Sequence, residues 1–161
     1  MSLLSKIIEA PLKLFSELEV ECVIVGEIAA CLHGATALTT NLDICYARSS
    51  ANLERLATAL QSVHARLRNA PEDIPFILDA ETLRRGLNFT FATDVGSLDL
   101  LGEVRGVGSY DDVLAGADRF ELFGYQFAVI EIDKLIAAKN AAGRAKDLIS
   151  VVELEAIRSS Q

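Results

Sequence analysis

Val23-Ile24-Val25-Gly26-Glu27 opens the decisive stretch, Ile28 to Gly34 continues it, and Thr39-Thr40-Asn41-Leu42-Asp43-Ile44-Cys45-Tyr46 closes it. Val20 to Val25 is rich in β-branched residues and stops at Gly26, the pattern of a buried strand. Glu27 to His33 reads as a short helix with Gly34 as its C-cap, and Leu42 to Tyr46 as a second strand. Side chains at i and i+2 of a strand share a face, so Asn41 and Asp43 stand side by side near the strand start. Both are oxygen donors and fit a shared cation. Asp99, between Leu98 and Leu100, lies on a later strand and must face away from the core or be given a partner. Asp43 and Asp99 on neighbouring strands, with Gly26 facing them at a helix start, would make a site for a divalent cation and an anion.

Outward from this stretch, Leu3, Leu4, Ile7, Ile8, Leu14, Phe15 and Leu18 recur at helical spacing and predict an amphipathic helix, bent or interrupted at Pro11. Ser49 or Ser50 caps a helix expected to run to about Arg68, with Leu53, Leu56, Ala57 and Leu60 inside. Asn69 to Pro75, with two prolines, reads as a loop. Leu87 to Thr93 and Ser97 to Leu101 flank Asp94-Val95-Gly96 as a hairpin, and Phe120 to Phe123 pairs with Tyr125 to Ile130 around Gly124. Asp133 can cap a helix through Lys139 that Gly143 breaks, and Ala145 to Arg158 supplies a last helix. Helices and strands alternate without a strict βαβ rhythm. The expected class is therefore α+β (mixed α/β), a mixed sheet with flanking helices and a short C-terminal helical segment, in one domain over residues 1–161.

Composition narrows the partners. With 161 residues, 51% of them apolar and 24% charged, the chain can bury a core and is not disordered. Its net charge is −8, spread over both halves. Duplex DNA needs clustered cations, so it is not an expected partner. Lys134 to Lys146, with four cations, is the local exception. The longest uninterrupted apolar run, Ile28 to Leu32, is too short to cross a bilayer, and no secretory leader opens the chain. A cytoplasmic location without membrane association is expected. Cys22, Cys31 and Cys45 have no metal-ligand spacing and read as buried thiols.

The Gly26-Glu27 helix start, the Asn41-Leu42-Asp43 strand and Asp99 together resemble the nucleotidyltransferase superfamily that includes DNA polymerase beta, in its minimal bacterial form. There a Gly-Gly or Gly-Ser is followed by an Asp-x-Asp strand and a third Asp. Lys139-Asn-Ala-Ala-Gly-Arg144-Ala-Lys146-Asp147 is similar to the Lys…Arg-x-Lys-Asp segment of minimal nucleotidyltransferases related to abortive-infection toxins. The resemblance covers nearly the whole chain. It implies a nucleotidyltransferase-like sheet and metal-dependent transfer of a nucleoside monophosphate from a nucleoside triphosphate to a protein or RNA acceptor, with Mg²⁺ or Mn²⁺. It implies Asn41, Asp43 and Asp99 as metal ligands, Asp43 and Asp99 as the catalytic carboxylates, and Gly26, Glu27, Thr40, Lys139, Arg144 and Lys146 toward the nucleotide. A protein partner of toxin–antitoxin type and a tRNA acceptor belong to the same implication.

The chain departs from that pattern twice. Asn41 replaces the first carboxylate and brings no negative charge, and Glu27 places a carboxylate where a triphosphate would dock. The alternative is therefore a catalytically degenerate protein of the same fold that binds a nucleotide or a protein. Gly102, Gly106 and Gly108 lack the Gly-Lys-Ser/Thr of a P-loop. His33 is expected to satisfy a carbonyl beside Gly34, and Asp147 to cap or pair at the last helix.

Overall fold

A computed structural model describes residues 3–36, 39–71 and 73–161. Met1, Ser2, Ala37, Leu38 and Glu72, the last within the expected 69–75 loop, lie outside the described residues. In chain order the elements are α1 (Leu3–Glu17), β1 (Cys22–Val25), α2 (Gly26–Leu32), β2 (Asn41–Tyr46), α3 (Ser50–Ser62), β3 (Arg66–Leu67), α4 (Ala80–Arg85) and β4 (Asn88–Thr93). They continue as β5 (Gly96–Leu101), β6 (Glu103–Val104), β7 (Gly108–Ser109), α5 (Tyr110–Leu114), β8 (Asp118–Leu122), β9 (Tyr125–Val129), α6 (Ile132–Ala142) and α7 (Ala145–Ser159).

Seven strands form one mixed sheet in the order β3-β4-β5-β2-β1-β9-β8, and β6 and β7 pair separately. The hairpins β4–β5 and β8–β9 are antiparallel, as their turn residues require. In the centre, β1 runs antiparallel to β2, whereas β2 lies parallel to β5 and β1 parallel to β9. The class is α+β, as expected. One apolar cluster joins α1 (Ile8, Leu12, Phe15), the central strands (Ile24, Ile44, Leu98) and α3 (Leu53, Leu56, Leu60).

Several boundaries differ from the sequence expectation. Helix α1 is continuous through Pro11, which is itself buried beside Ile8 and Leu12; core packing outweighs the lost backbone donor. Helix α3 ends at Ser62 rather than near Arg68. His64 takes a left-handed conformation, φ 52°, and the Ala65 N–H donates to the Leu60 carbonyl at 3.0 Å, the bonding pattern of a Schellman stop without its usual glycine. Arg66 and Leu67 thereby leave the helix and pair with Ala92 and Phe91 of β4. Helix α4 was not expected; Asp79 caps it by accepting from the Thr82 N–H at 2.8 Å, and Leu83 anchors it in the core. Helix α6 begins after Glu131, so Asp133 sits in its first turn instead of capping it. Gly143 ends that helix at φ 66°.

Asn52 shows how α3 is fixed to the strands. It is fully buried; its Oδ1 accepts from the Glu21 N–H at 2.7 Å, and its Nδ2 donates to the Glu21 and Ala47 carbonyls at 3.1 and 2.7 Å. Removing the amide takes the partner from the Glu21 N–H and from the buried Ala47 carbonyl contact, while the Glu21 carbonyl keeps the Ala47 N–H at 3.1 Å. Asn52→Ala is expected to lower unfolding free energy by about 2–3 kcal/mol, read as a fall in the urea midpoint with an unchanged m-value.

Candidate active site

One row of residues crosses the sheet. Val25 pairs with Asp43, Asp43 with Asp99, and Asp99 with Thr90. The Arg68 N–H continues the row by donating to the Thr90 carbonyl at 2.9 Å. Residues paired across strands share a face, so the sheet register sets Asp43 against Asp99 and brings Arg68 alongside. Gly26 follows Val25 directly and has φ 68°, a left-handed backbone natural only to glycine. A Cβ at Gly26 would run into the Asp43 carboxylate, so absence of a side chain is what lets the end of β1 close over Asp43. These residues line a cavity of about 500 Å³.

Burial pushes the Asp43 carboxyl up to about 7. The charge of Asp99, a hydrogen bond between the two carboxyl groups and the charge of Glu27 act in the same direction, while Lys139 opposes them. Asp99 has its own counter-charge, since Arg68 Nη2 donates to its Oδ1 at 2.6 Å.

A second charge cluster closes the cavity on the helical side. Lys139, only 5% exposed, donates from Nζ to Glu27 Oε1 and lies 3.9 Å from Asp147 Oδ1. Asp147 is buried and accepts from the Arg144 backbone N–H at 3.2 Å and from Arg144 Nε at 2.6 Å. Burial works against ionising Asp147, yet Arg144 and Lys139 together hold its carboxyl below the usual range. Asp147 thus pairs at α7 with Arg144, and it sits in the first turn while Arg144 occupies the cap position. His33 Nε2 lies 2.8 Å from the carbonyl of Ile130, a residue just after β9, instead of meeting a carbonyl beside Gly34. Burial pushes the Cys22 and Cys45 thiols up to about 12, which keeps both protonated at neutral pH.

The architecture has solved counterparts. The lincomycin-bound lincosamide antibiotic adenylyltransferase LnuA superposes with a TM-score of 0.62, over 94% of this chain and 96% of that one, at 12% identity. A Thermotoga maritima protein described only as a candidate nucleotidyltransferase gives 0.55, over 91% and 90%, at 15% identity. The chain has a nucleotidyltransferase fold. No protein-family model and no curated protein sequence matches it.

Within this nucleotidyltransferase fold, Gly26, Glu27, Asn41, Asp43, Asp99, Lys139, Arg144 and Lys146 all line the one cavity. Thr40 does not; it is a neighbour whose hydroxyl donates to Asn41 Oδ1 at 3.3 Å, and Thr39 lines the cavity in its place. Sequence reasoning missed Arg68, Asn88, Glu103 and Arg105. Arg68 was hidden by its placement at the end of a helix that stops six residues earlier.

Asn41, Asp43 and Asp99 offer hard oxygen donors that suit Mg²⁺ or Mn²⁺. Among the described residues no group of three His, Cys, Asp or Glu side chains is gathered for a metal; Asn41, an amide, lines the cavity with Asp43 and Asp99. This donor set fits a single divalent cation.

Two stability effects follow from this geometry. The folded Asp43 carboxyl titrates higher than its ordinary value of 3.8, so the folded state holds a proton that the unfolded state releases. Stability should therefore fall as pH rises from about 3.8 to about 7. Asp43→Asn is expected to flatten that dependence and, at pH 8 without divalent ions, to stabilise the chain by roughly 1 kcal/mol, about 2–4 °C in melting temperature. Gly26→Ala should act oppositely, losing at least about 1–2 kcal/mol from the left-handed backbone alone. Thermal unfolding followed by circular dichroism across pH checks both.

Proposed function

We propose that the chain, as a single domain over residues 1–161, binds a nucleoside triphosphate with Mg²⁺ or Mn²⁺ and transfers its nucleoside monophosphate to a hydroxyl of a protein or RNA acceptor. The observation that carries this reading is the parallel pairing of Asp43 with Asp99 beneath Gly26. In the reaction the acceptor oxygen forms a bond to the α-phosphorus, the bond from that phosphorus to the bridging oxygen breaks, and pyrophosphate departs. A bound divalent cation supplies charge neutralisation of the triphosphate and of the departing pyrophosphate. Asn41, Asp43 and Asp99 would hold it. The Asp43–Asp99 pair, set on adjacent strands, accepts the proton lost by the acceptor hydroxyl. Gly26 gives the phosphates access to the backbone. Lys139 neutralises Glu27, which removes the repulsion that a carboxylate at that position would exert on a triphosphate. Arg144 and Lys146, both exposed at the cavity, offer positive charge to phosphate or acceptor.

Asn41 and the Arg68–Asp99 ion pair favour a second reading, nucleotide binding without transfer, since both reduce the negative charge available for cations. Incubation with α-labelled nucleoside triphosphates, Mn²⁺ and cell extract separates the two. The transferase reading expects label on a macromolecule, reduced at least about 100-fold in Asp43→Asn and Asp99→Asn. Calorimetric binding of a non-hydrolysable triphosphate with no label transfer would leave the binding reading. No binding to the wild-type chain, with or without Mn²⁺, would overturn both.

A further inference from the structure

Among the described residues, Arg68 is the cation of the cavity that pairs with a member of the two carboxylates. It is anchored at three points: its backbone N–H donates to the Thr90 carbonyl at 2.9 Å, Nη1 to the Phe91 carbonyl at 3.2 Å, and Nη2 to Asp99 Oδ1 at 2.6 Å. The Arg68 and Asp99 side chains are 23% and 21% exposed, so the contact is shielded more than a surface ion pair. Strand β3 enters the sheet only because α3 stops early at His64, and that stop delivers Arg68 to this row. A guanidinium cannot lose its charge at any working pH.

We propose that Arg68 is a fixed cation of the site, held at Asp99 where a second divalent ion would otherwise bind, so that the chain takes at most one such ion. The inference rests on the reading of this cavity as the nucleotide site. With both carboxylates ionised, Asp43, Asp99 and Arg68 together carry one net negative charge. One divalent ion with Asn41 as a neutral donor already exceeds it. A second would face both that ion and the guanidinium across a few ångströms, with Asp99 Oδ1 committed to Arg68. Arg68 is in this sense a positioning residue, orienting Asp99 and supplying charge without a metal.

Titration of the full chain with Mn²⁺ alone, followed by the electron paramagnetic resonance signal of free Mn²⁺, tests the proposal. The wild-type chain should bind at most one ion. Arg68→Met, which keeps length and removes charge, should gain a second ion or bind the first at least roughly tenfold more tightly. Adding Asp99→Asn to Arg68→Met should abolish the gain. Arg68→Lys, which keeps the charge, should behave as wild type, and it serves if the methionine variant fails to fold. Two ions of similar affinity in the wild type, or unchanged binding in a folded Arg68→Met, would overturn the proposal, as would a gain in Arg68→Lys. No nucleotide is present, so a Mn²⁺ gain in a chain that binds no triphosphate would sink the nucleotide reading and leave Arg68 as assigned.

Discussion

The parallel pairing of β2 with β5 sets two carboxylates on adjacent strands, and the rest of the site answers to that placement. At a strand spacing of about 4.8 Å and an effective dielectric of about 20, two ionised groups repel by on the order of 3 kcal/mol. Three features of the fold respond. Asp43 binds its proton more strongly, Arg68 pairs with Asp99, and Gly26 offers no side chain to crowd the Asp43 carboxylate. Each of these reduces the cost of a pairing that a core selected for stability alone would not contain.

Lys139 links that sheet row to the C-terminal helices. It projects from α6 into contact with Glu27 at the start of α2 and approaches Asp147 at the start of α7. Three helices therefore meet on one buried ammonium. Leaving that ammonium without either carboxylate would leave a charge in a nearly dry setting, a far larger penalty than loss of a surface ion pair. The position of Arg144 and Lys146 at the cavity thus depends on Glu27, although Glu27 is remote from them in sequence. The basic stretch that stands out against the net charge of −8 is not one exposed face: Lys134 donates to the Asp112 and Ala115 carbonyls, Lys139 is internal, and only its last members reach solvent at the cavity.

The sheet and its two outer hairpins were legible because their signals are local. Asp94-Val95-Gly96 and Gly124 mark tight turns, and the β-branched run ending at Gly26 marks a strand end. The neighbourhood of Asp43 and Asp99 was legible through the order of short motifs rather than through any one of them. Arg68 was not, because nothing near residues 60–68 signals that His64, instead of a glycine, stops the helix. Likewise Asp79-Ala80-Glu81-Thr82 carries a capping signal, but the reading of the two prolines as a loop stops at Pro75 and assigns no element to residues 79–85. Glu27 was legible as a departure and misleading as a charge, because its partner lies 112 residues away.

That last contact changes which departure matters. Glu27 is matched by Lys139, so it adds no net charge to the cavity. Asn41 and Arg68 do alter the balance, and both in one direction. An amide in place of the carboxylate of the resembled Asp-x-Asp pattern raises the local charge by one unit, and a guanidinium on Asp99 raises it by another. Together the two unit changes equal the charge of one divalent ion. The electrostatic requirement of a second ion is therefore met within the chain, while the oxygen donors left at Asn41 and Asp43 still suit one. Read this way, the two residues are not independent losses from an older site. They are complementary, and restoring a carboxylate at residue 41 while Arg68 stays in place would bring these side chains to two net negative charges, which one divalent ion matches, rather than to a two-ion centre.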